Sequence, residues 1–139
     1  MNIQGKRLYF DTNPLIYFLE RDENFYNRVE PYFEQLASNQ IIGVASHLVI
    51  AELLVKPVRT KDSLLENTIK EFMLNNNYFE IVGHTQKSFS LATKIRAEKN
   101  LKMVDALHVA TAIVNRCDCF LTYDEQIFNR INEIAVIQI

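Results

Sequence analysis

The sequence has few of the residues that cross-link small secreted domains or form flexible linkers. Its 139 residues include two cysteines, three glycines and three prolines. Cys117 and Cys119 are separated by one residue, which suits an unstrained disulfide poorly, and two thiols without companion ligands do not make a zinc site. We therefore expect both cysteines to be small apolar residues at the start of a strand, with no long linker in the chain.

Long apolar runs are also missing. No segment approaches the roughly 20 apolar residues that cross a bilayer, and the N-terminus lacks the apolar region of a signal peptide. We therefore expect a cytoplasmic protein that does not enter a membrane. Apolar residues make up 48% and charged residues 23% of the chain, which is typical of a globular protein. This length and composition predict a single domain over residues 1–139.

Neither sign of charge dominates the sequence. The net charge is −2, and the isoelectric point is about 5.9. By itself this argues mildly against nucleic-acid binding, because proteins of that class usually carry a basic surface. The argument does not apply to an enzyme whose acids are concentrated in one pocket. If four acids lie in such a pocket, the rest of the protein has a net charge of +2 instead of −2.

Short apolar runs alternate with helical patterns along the chain. The runs predict strands over 6–10, 41–45, 78–82, 119–122 and 135–139. Helices are expected between them, one kinked or interrupted near Pro31 and another ending before Pro57, because proline lacks the N–H that continues a helix. Strands separated by helices, each strand a continuous apolar run, predict a mainly parallel sheet covered on both faces.

Four acids lie on or beside these apolar segments. Asp11 directly follows the first strand and Asp124 follows the fourth, at the carboxyl edge where parallel sheets form their sites. Glu52 lies inside the helical segment HLVIAELLV, and Asp105 lies near the start of MVDALHVATAIV. An ionised carboxylate on an apolar helix face is costly unless it is paired or bound to a metal ion.

Each acid also has an ordinary structural explanation. Aspartate favours turns and helix N-termini, Glu52 fits a surface position, and Asp105 fits a first helical turn, where an acid complements the helix dipole. Together, however, the four fit one edge of the sheet, where their repulsion favours a hard divalent cation with oxygen ligands. The three histidines are scattered. His108 lies three residues after Asp105 and could touch the site, but we expect it to be a half-buried structural residue.

The sequence resembles a known family. The runs YFDTNPLIYFLE, SHLVIAELL, LKMVDALHVATAIV and CFLTYDEQIF, in this order, are similar to the PIN domain. They are most similar to its small stand-alone prokaryotic members, the VapC-like toxins of toxin–antitoxin pairs. The resemblance covers nearly the whole chain, and its most specific part is VDALHVATA followed by a strand and T-x-D.

Residue by residue, the resemblance implies a metal site made of four carboxylates. These are Asp11, Glu52, Asp105 and Asp124. It also implies two polar groups that support the ligands without binding the metal, Asn13 and Thr122. Family members often carry a small or polar residue just before the last aspartate. This chain has Tyr123 there, which puts the loop shape and substrate access in question.

The resemblance further implies a three-layer α/β/α sandwich and a Mg²⁺- or Mn²⁺-dependent endoribonuclease that hydrolyses RNA through an activated water molecule. It implies frequent homodimers and a small antitoxin partner as well. Two alternatives stay open: a catalytically inactive PIN-like module that binds RNA or protein, and a receiver-like signalling domain. A receiver would need adjacent acids after the first strand, where the chain has Asp11 followed by Thr12.

Aromatic residues concentrate near the N-terminus. Six of the 15 fall between residues 17 and 33. They are Tyr17, Phe18, Phe25, Tyr26, Tyr32 and Phe33. Because aromatic side chains dominate both cores and interfaces, this cluster predicts either core packing or a partner surface across the N-terminal helices.

Overall fold

The computed structural model describes residues 2–139 and has one parallel β-sheet with helices packed on it. Its five strands are β1 (Arg7–Phe10), β2 (Ile42–Ser46), β3 (Phe79–Val82), β4 (Cys119–Thr122) and β5 (Ala135–Gln138). Their order is β3-β2-β1-β4-β5, and every neighbouring pair is parallel. The strand order reverses beside β1, which is the position where open parallel sheets bind ligands.

Seven α-helices connect the strands within residues 2–139. They are α1 (Thr12–Leu19), α2 (Tyr26–Ala37), α3 (His47–Thr60), α4 (Ser63–Lys70), α5 (Gln86–Lys99), α6 (Met103–Val114) and α7 (Glu125–Arg130). A π-helical segment, Glu71–Asn75, extends α4. Among the described residues, no helix combines the length and the apolar character needed to span a membrane.

Neighbouring side chains of β1 point to opposite faces of the sheet. The ring of Phe10 packs against Phe33 of α2, with 5.3 Å between centroids. Tyr9 hydrogen-bonds His108 of α6 over 2.8 Å. Because side chains alternate along a strand, α2 and α6 cover different faces of the sheet. The predicted three-layer α/β/α sandwich with a parallel sheet is confirmed.

Two helices continue through prolines. The prediction that α3 ends before Pro57 is wrong, because the helix runs to Thr60 and ends at Lys61 in the left-handed conformation, with φ 54°. Pro57 is buried and lines one cavity with apolar residues of α1 and α4. Its burial in the tertiary structure offsets the hydrogen bond that proline removes. Helix α2 is likewise continuous through Pro31.

The N-terminal aromatic cluster combines core packing with partial exposure. Phe33 is buried, and the rings of Phe18 and Phe33 stack with their centroids 3.8 Å apart. The other five rings are half-buried. As predicted, Cys119 is buried in the first position of β4, and Cys117, two residues earlier, is half-buried.

Helix α2 approaches β2 so closely that Gly43 has no room for a side chain. A Cβ atom there would stand 2.6 Å from Leu36 Cδ1 and 3.0 Å from the backbone oxygen of Tyr78. Gly83 is a contrasting position, because a Cβ atom on it would meet nothing within 4 Å. The two glycines therefore provide a matched pair for testing this contact.

We predict that Gly43→Ala lowers the free energy of unfolding by about 1–3 kcal/mol, the usual cost of overpacking a filled core. Gly83→Ala should leave it unchanged or raise it by about 0.4–1 kcal/mol, because alanine reduces the freedom of the unfolded chain. Urea denaturation of both variants and the parent measures the difference. Equal stability of the two variants would contradict the close packing of α2 on β2.

Candidate metal centre

Asp11 occupies the end of the central strand. It follows β1 with an extended backbone and caps α1, and its Oδ1 accepts the N–H of Thr12 over 2.8 Å. Its Oδ2 accepts the hydroxyl of Thr122 at the end of β4, also over 2.8 Å. Only 7% of Asp11 is exposed. Both oxygens of this buried carboxylate are therefore held in fixed positions.

The hydroxyl of Thr122 connects two of the acids. While its proton goes to Asp11, its oxygen accepts the backbone N–H of Asp124 over 2.9 Å. Thr122 is fully buried, so neither bond competes with solvent. The end of β4 thereby fixes both the Asp11 side chain and the loop that carries Asp124.

Glu52 reaches the same edge from α3, which begins after the cap residue Ser46 at the end of β2. Its Oε1 accepts the hydroxyl of Thr12 over 2.7 Å and lies 2.6 Å from Nε2 of His108. The residue is half-buried. Two elements distant in sequence, the start of α1 and the middle of α6, therefore position this carboxylate.

His108 is buried, and not half-buried as the sequence predicted, with 1% of the residue exposed. Its Nδ1 lies 2.8 Å from the hydroxyl of Tyr9, and that hydroxyl lies 2.8 Å from Oγ of Ser46. Its Nε2 is also 3.9 Å from Oδ1 of Asp11. The histidine is thus part of a buried hydrogen-bonded chain that ends at Glu52.

Within this hydrogen-bonded chain, the positive charge of His108 and the negative charge of Glu52 stabilise each other. Burial alone lowers the pKa of His108, but its hydrogen bond to Glu52 and the negative charges of Asp11 and Glu52 raise it above the ordinary value. Burial raises the pKa of Glu52, but the hydrogen bonds from His108 and Thr12 bring it below the ordinary value. Both directions favour a protonated histidine beside an ionised glutamate.

Asp105 and Asp124 line an open cleft of about 470 Å³ next to Asp11. Asp105 lies in the first turn of α6, and burial together with the charges of Asp124 and Asp11 raises its pKa. Oδ1 of Asp124 caps α7 by accepting the N–H groups of Gln126 and Ile127 over 2.7 and 3.0 Å. The cleft therefore contains two acidic side chains, each located at the N-terminus of a helix.

The structure brings the four predicted acids to one edge of the sheet. Electrostatic interactions connect Asp11 with Glu52 and with Asp105, and Asp105 with Asp124. Within residues 2–139, however, no three of the acid, histidine or cysteine side chains already form a group that could hold a metal ion. Asn13 is exposed and lines the cleft beside Asp124.

The composition of the site fits a hard divalent cation. Its four acids offer only oxygen atoms, which Mg²⁺ and Mn²⁺ prefer. The pKa of Asp11 is raised, and burial is the largest cause. The charge of Glu52 raises it further, whereas His108, Thr122 and Thr12 lower it. A bound cation would offset this excess of negative charge.

Sequence reasoning named Thr122 as a supporting group, but it favoured a purely structural role for His108 and missed Thr12 and Tyr9. His108 binds Glu52 directly, Thr12 donates to the same oxygen, and Tyr9 fixes the other nitrogen of the histidine. One signal was available, because His108 lies three residues after Asp105 and hence on a similar face of the helix. The partners of Thr12 and Tyr9 are set by the fold and leave no local pattern.

Comparison with known proteins identifies the family. The family model of the PIN domain matches residues 8–134. Among curated protein sequences, none matches the chain. The fold is similar to that of VapBC2 from Rickettsia felis, solved bound to a DNA fragment from its promoter. That similarity has a TM-score of 0.75 and 20% identity, and covers 96% of this chain and 98% of the other.

Two other solved structures share the fold. FitAcB from Neisseria gonorrhoeae gives a TM-score of 0.71 at 18% identity, covering 94% of this chain and 96% of that one. VapC20 from Mycobacterium tuberculosis is a toxin that cleaves the sarcin–ricin loop. It gives a TM-score of 0.70 at 13% identity, covering 92% of this chain and 98% of that one. With a family model that matches all but the ends of the chain, this protein belongs to the PIN domain family.

Proposed function

We propose that this protein is a divalent-metal-dependent endoribonuclease that hydrolyses RNA phosphodiester bonds, and that it is the toxin of a type II toxin–antitoxin pair. The observation that carries the proposal is the acidic edge of the sheet, where four interacting carboxylates stand in a chain of the PIN domain family. Similarity to VapC20, which cleaves the sarcin–ricin loop, supports RNA as the substrate.

The proposed cofactor is Mg²⁺ or Mn²⁺. Asp11, Asp105 and Asp124 would hold the metal, and Glu52 would bind it directly or through a water molecule. A bound divalent cation supplies two effects: it lowers the pKa of its water ligand and offsets charge on the phosphoryl oxygens. The oxygen-only donor set supports a hard cation over a softer one.

The other residues of the site keep the carboxylates in position. The Thr122 hydroxyl orients Asp11, and the hydrogen bonds from His108 and Thr12 orient Glu52 and favour its ionised form. Side chains that are held before substrate arrives lose little freedom on binding, which is the basis of catalytic preorganisation. We assign these three residues to positioning, because they contact the acids and not the cleft.

A water molecule is the proposed nucleophile, because the nearby side chains are poorly suited to that role. Ser46 is fully buried and hydrogen-bonded to Tyr9. Cys117 is no alternative, because it precedes β4 and lies at the opposite edge of the sheet from the acids. Burial is also the main reason that its pKa is raised to about 12, so its thiol stays protonated near neutral pH.

A small antitoxin is the proposed protein partner, and the toxin would act in the cytoplasm as a homodimer. The similar structures include toxin–antitoxin complexes such as VapBC2. Exposed apolar side chains on α3 and α4 support a partner surface, since Val58 is 59% and Leu64 79% exposed. Val58 lies on the helix that carries Glu52, and Leu64 lies on the next helix, so a partner there would adjoin the proposed site.

We predict that cleavage of a structured RNA requires Mn²⁺ or Mg²⁺ and that Asp105→Asn lowers it by orders of magnitude. The metal-free variant should melt at the parent's temperature or higher, because Asn removes one charge from a cluster whose members repel. Mn²⁺ should raise the melting temperature of the parent more than that of the variant, since metal binding stabilises the native state.

Glu98→Gln is the matched control, because Glu98 is an exposed acid on α5 away from the cleft. It should cleave RNA and respond to Mn²⁺ as the parent does. Undiminished cleavage in excess EDTA would contradict the metal requirement. RNA binding without cleavage in Mn²⁺ would instead assign the chain to inactive RNA-binding modules.

We also predict that Thr122→Val lowers both stability and activity, whereas Thr122→Ser keeps most of each. Valine has a similar shape but removes the donor to Asp11 and the acceptor for the Asp124 N–H. Leaving these buried groups unpaired should cost about 1–3 kcal/mol of unfolding free energy. Thermal melts and cleavage rates in Mn²⁺ measure the two effects, and a valine variant with parent-like activity would remove Thr122 from the positioning role.

A further inference from the structure

Tyr123 stands at the rim of the acidic cleft with much of its ring in solvent. It lies between Thr122, which holds Asp11, and Asp124, and it lines the cleft together with Asp105. The residue is 39% exposed. The rest of the side chain packs against the protein, so the ring combines a fixed buried part with a part that a ligand in the cleft could contact.

Two other aromatic rings fix the position of Tyr123. Phe25 meets it in a T-shaped contact with centroids 4.9 Å apart, and Tyr17 does so at 5.7 Å. Tyr17 and Phe25 in turn stack on each other at 4.7 Å. The guanidinium of Arg28 lies 5.2 Å from the Phe25 ring centroid. The exposed ring is therefore held by its neighbours and does not move freely on a loop.

We propose that Tyr123 is a stacking platform for one unpaired nucleobase of a single-stranded RNA, next to the phosphate that is cleaved. This inference rests on the proposed function, because it deepens the substrate class of the same site. Proteins that recognise single-stranded RNA commonly splay bases out and stack them on aromatic side chains. A ring already held in place loses little entropy on stacking, which favours this use.

The walls of the cleft favour a nucleobase over an apolar protein side chain. Tyr123 is the one aromatic among the seven residues that line the cleft, and the other six are polar or charged. A base offers a flat face for the ring and a hydrogen-bonding edge for nearby amides such as Asn13 and Gln126. An apolar side chain of a partner would leave these polar groups without hydrogen bonds.

Two cations lie near the platform. Lys102 lines the cleft with Tyr123, and Arg28 is exposed beside Phe25. Contacts of these cations with the flanking phosphates would offset the repulsion between the acids of the cleft and the RNA backbone.

The test uses the full chain and a short single-stranded RNA that carries the fluorescent base 2-aminopurine. Binding is measured in Ca²⁺, a hard cation that takes the same oxygen ligands. Tyr123→Leu, which keeps apolar bulk and removes the ring, should bind about 5- to 150-fold more weakly, as expected for losing one base stack. Tyr123→Phe should restore the affinity and the quenching of 2-aminopurine fluorescence.

Two controls separate stacking from other effects. An abasic RNA of the same length keeps the phosphates, so the parent and Tyr123→Leu should bind it equally. Phe128→Leu removes a different exposed ring, 46% exposed on α7 and outside the cleft lining, and should bind both RNAs as the parent does. Melting temperatures confirm that the compared variants are folded.

The outcomes distinguish this inference from the proposed function. A parent that neither binds RNA in Ca²⁺ nor cleaves it in Mn²⁺ would contradict the proposed function, and the platform with it. A parent that cleaves RNA with a KM unchanged by Tyr123→Leu would overturn the platform alone. In that case, weaker binding of a protein partner by Tyr123→Leu would assign the ring to protein recognition.

Discussion

The Asp11 carboxylate lies at the end of the central strand, where it is almost fully removed from water. Burying an ionised group is costly unless hydrogen bonds or opposite charges compensate. Three compensations surround it: the N–H of Thr12, the hydroxyl of Thr122, and the nearby imidazole of His108. Much of the architecture of the site follows from these contacts, because they draw the ends of β1 and β4 and the middle of α6 to one point.

Different surroundings also explain why the pKa values of the acids shift in different directions. Hydrogen bonds from His108 and Thr12 lower the pKa of Glu52 against the effect of burial, whereas burial together with the charges of Asp124 and Asp11 raises the pKa of Asp105. Negative charge is thus compensated more fully near α3, where His108 hydrogen-bonds Glu52, than in the open cleft, where His108 and Lys102 act on Asp105 only through their charges. A cation entering the cleft would therefore be attracted by Asp105 and Asp124.

Much of the fold could be predicted from local sequence, because the strands are short and mainly apolar and the first four are each followed by a helix. The parallel sheet then places Asp11 and Asp124 at one edge without further information. Other features depend on contacts between distant segments. His108 and Glu52 are 56 residues apart, and their pairing leaves no periodic signal. The passage of α3 through Pro57 also depends on tertiary burial, which outweighs the local preference of proline.

The hydrogen bond between Thr122 and Asp11 joins residues 111 positions apart in the chain. Every strand pairing in the sheet is parallel and is separated by at least one helix, so none forms by a local hairpin. Such non-local topologies fold slowly, because loop closure precedes the contacts that stabilise them. During synthesis, Asp11 and Glu52 emerge long before Asp105, Thr122 and Asp124. A growing chain therefore lacks Thr122 and Asp124 until β4 has been made and has paired with β1, and it spends most of its synthesis without an assembled site.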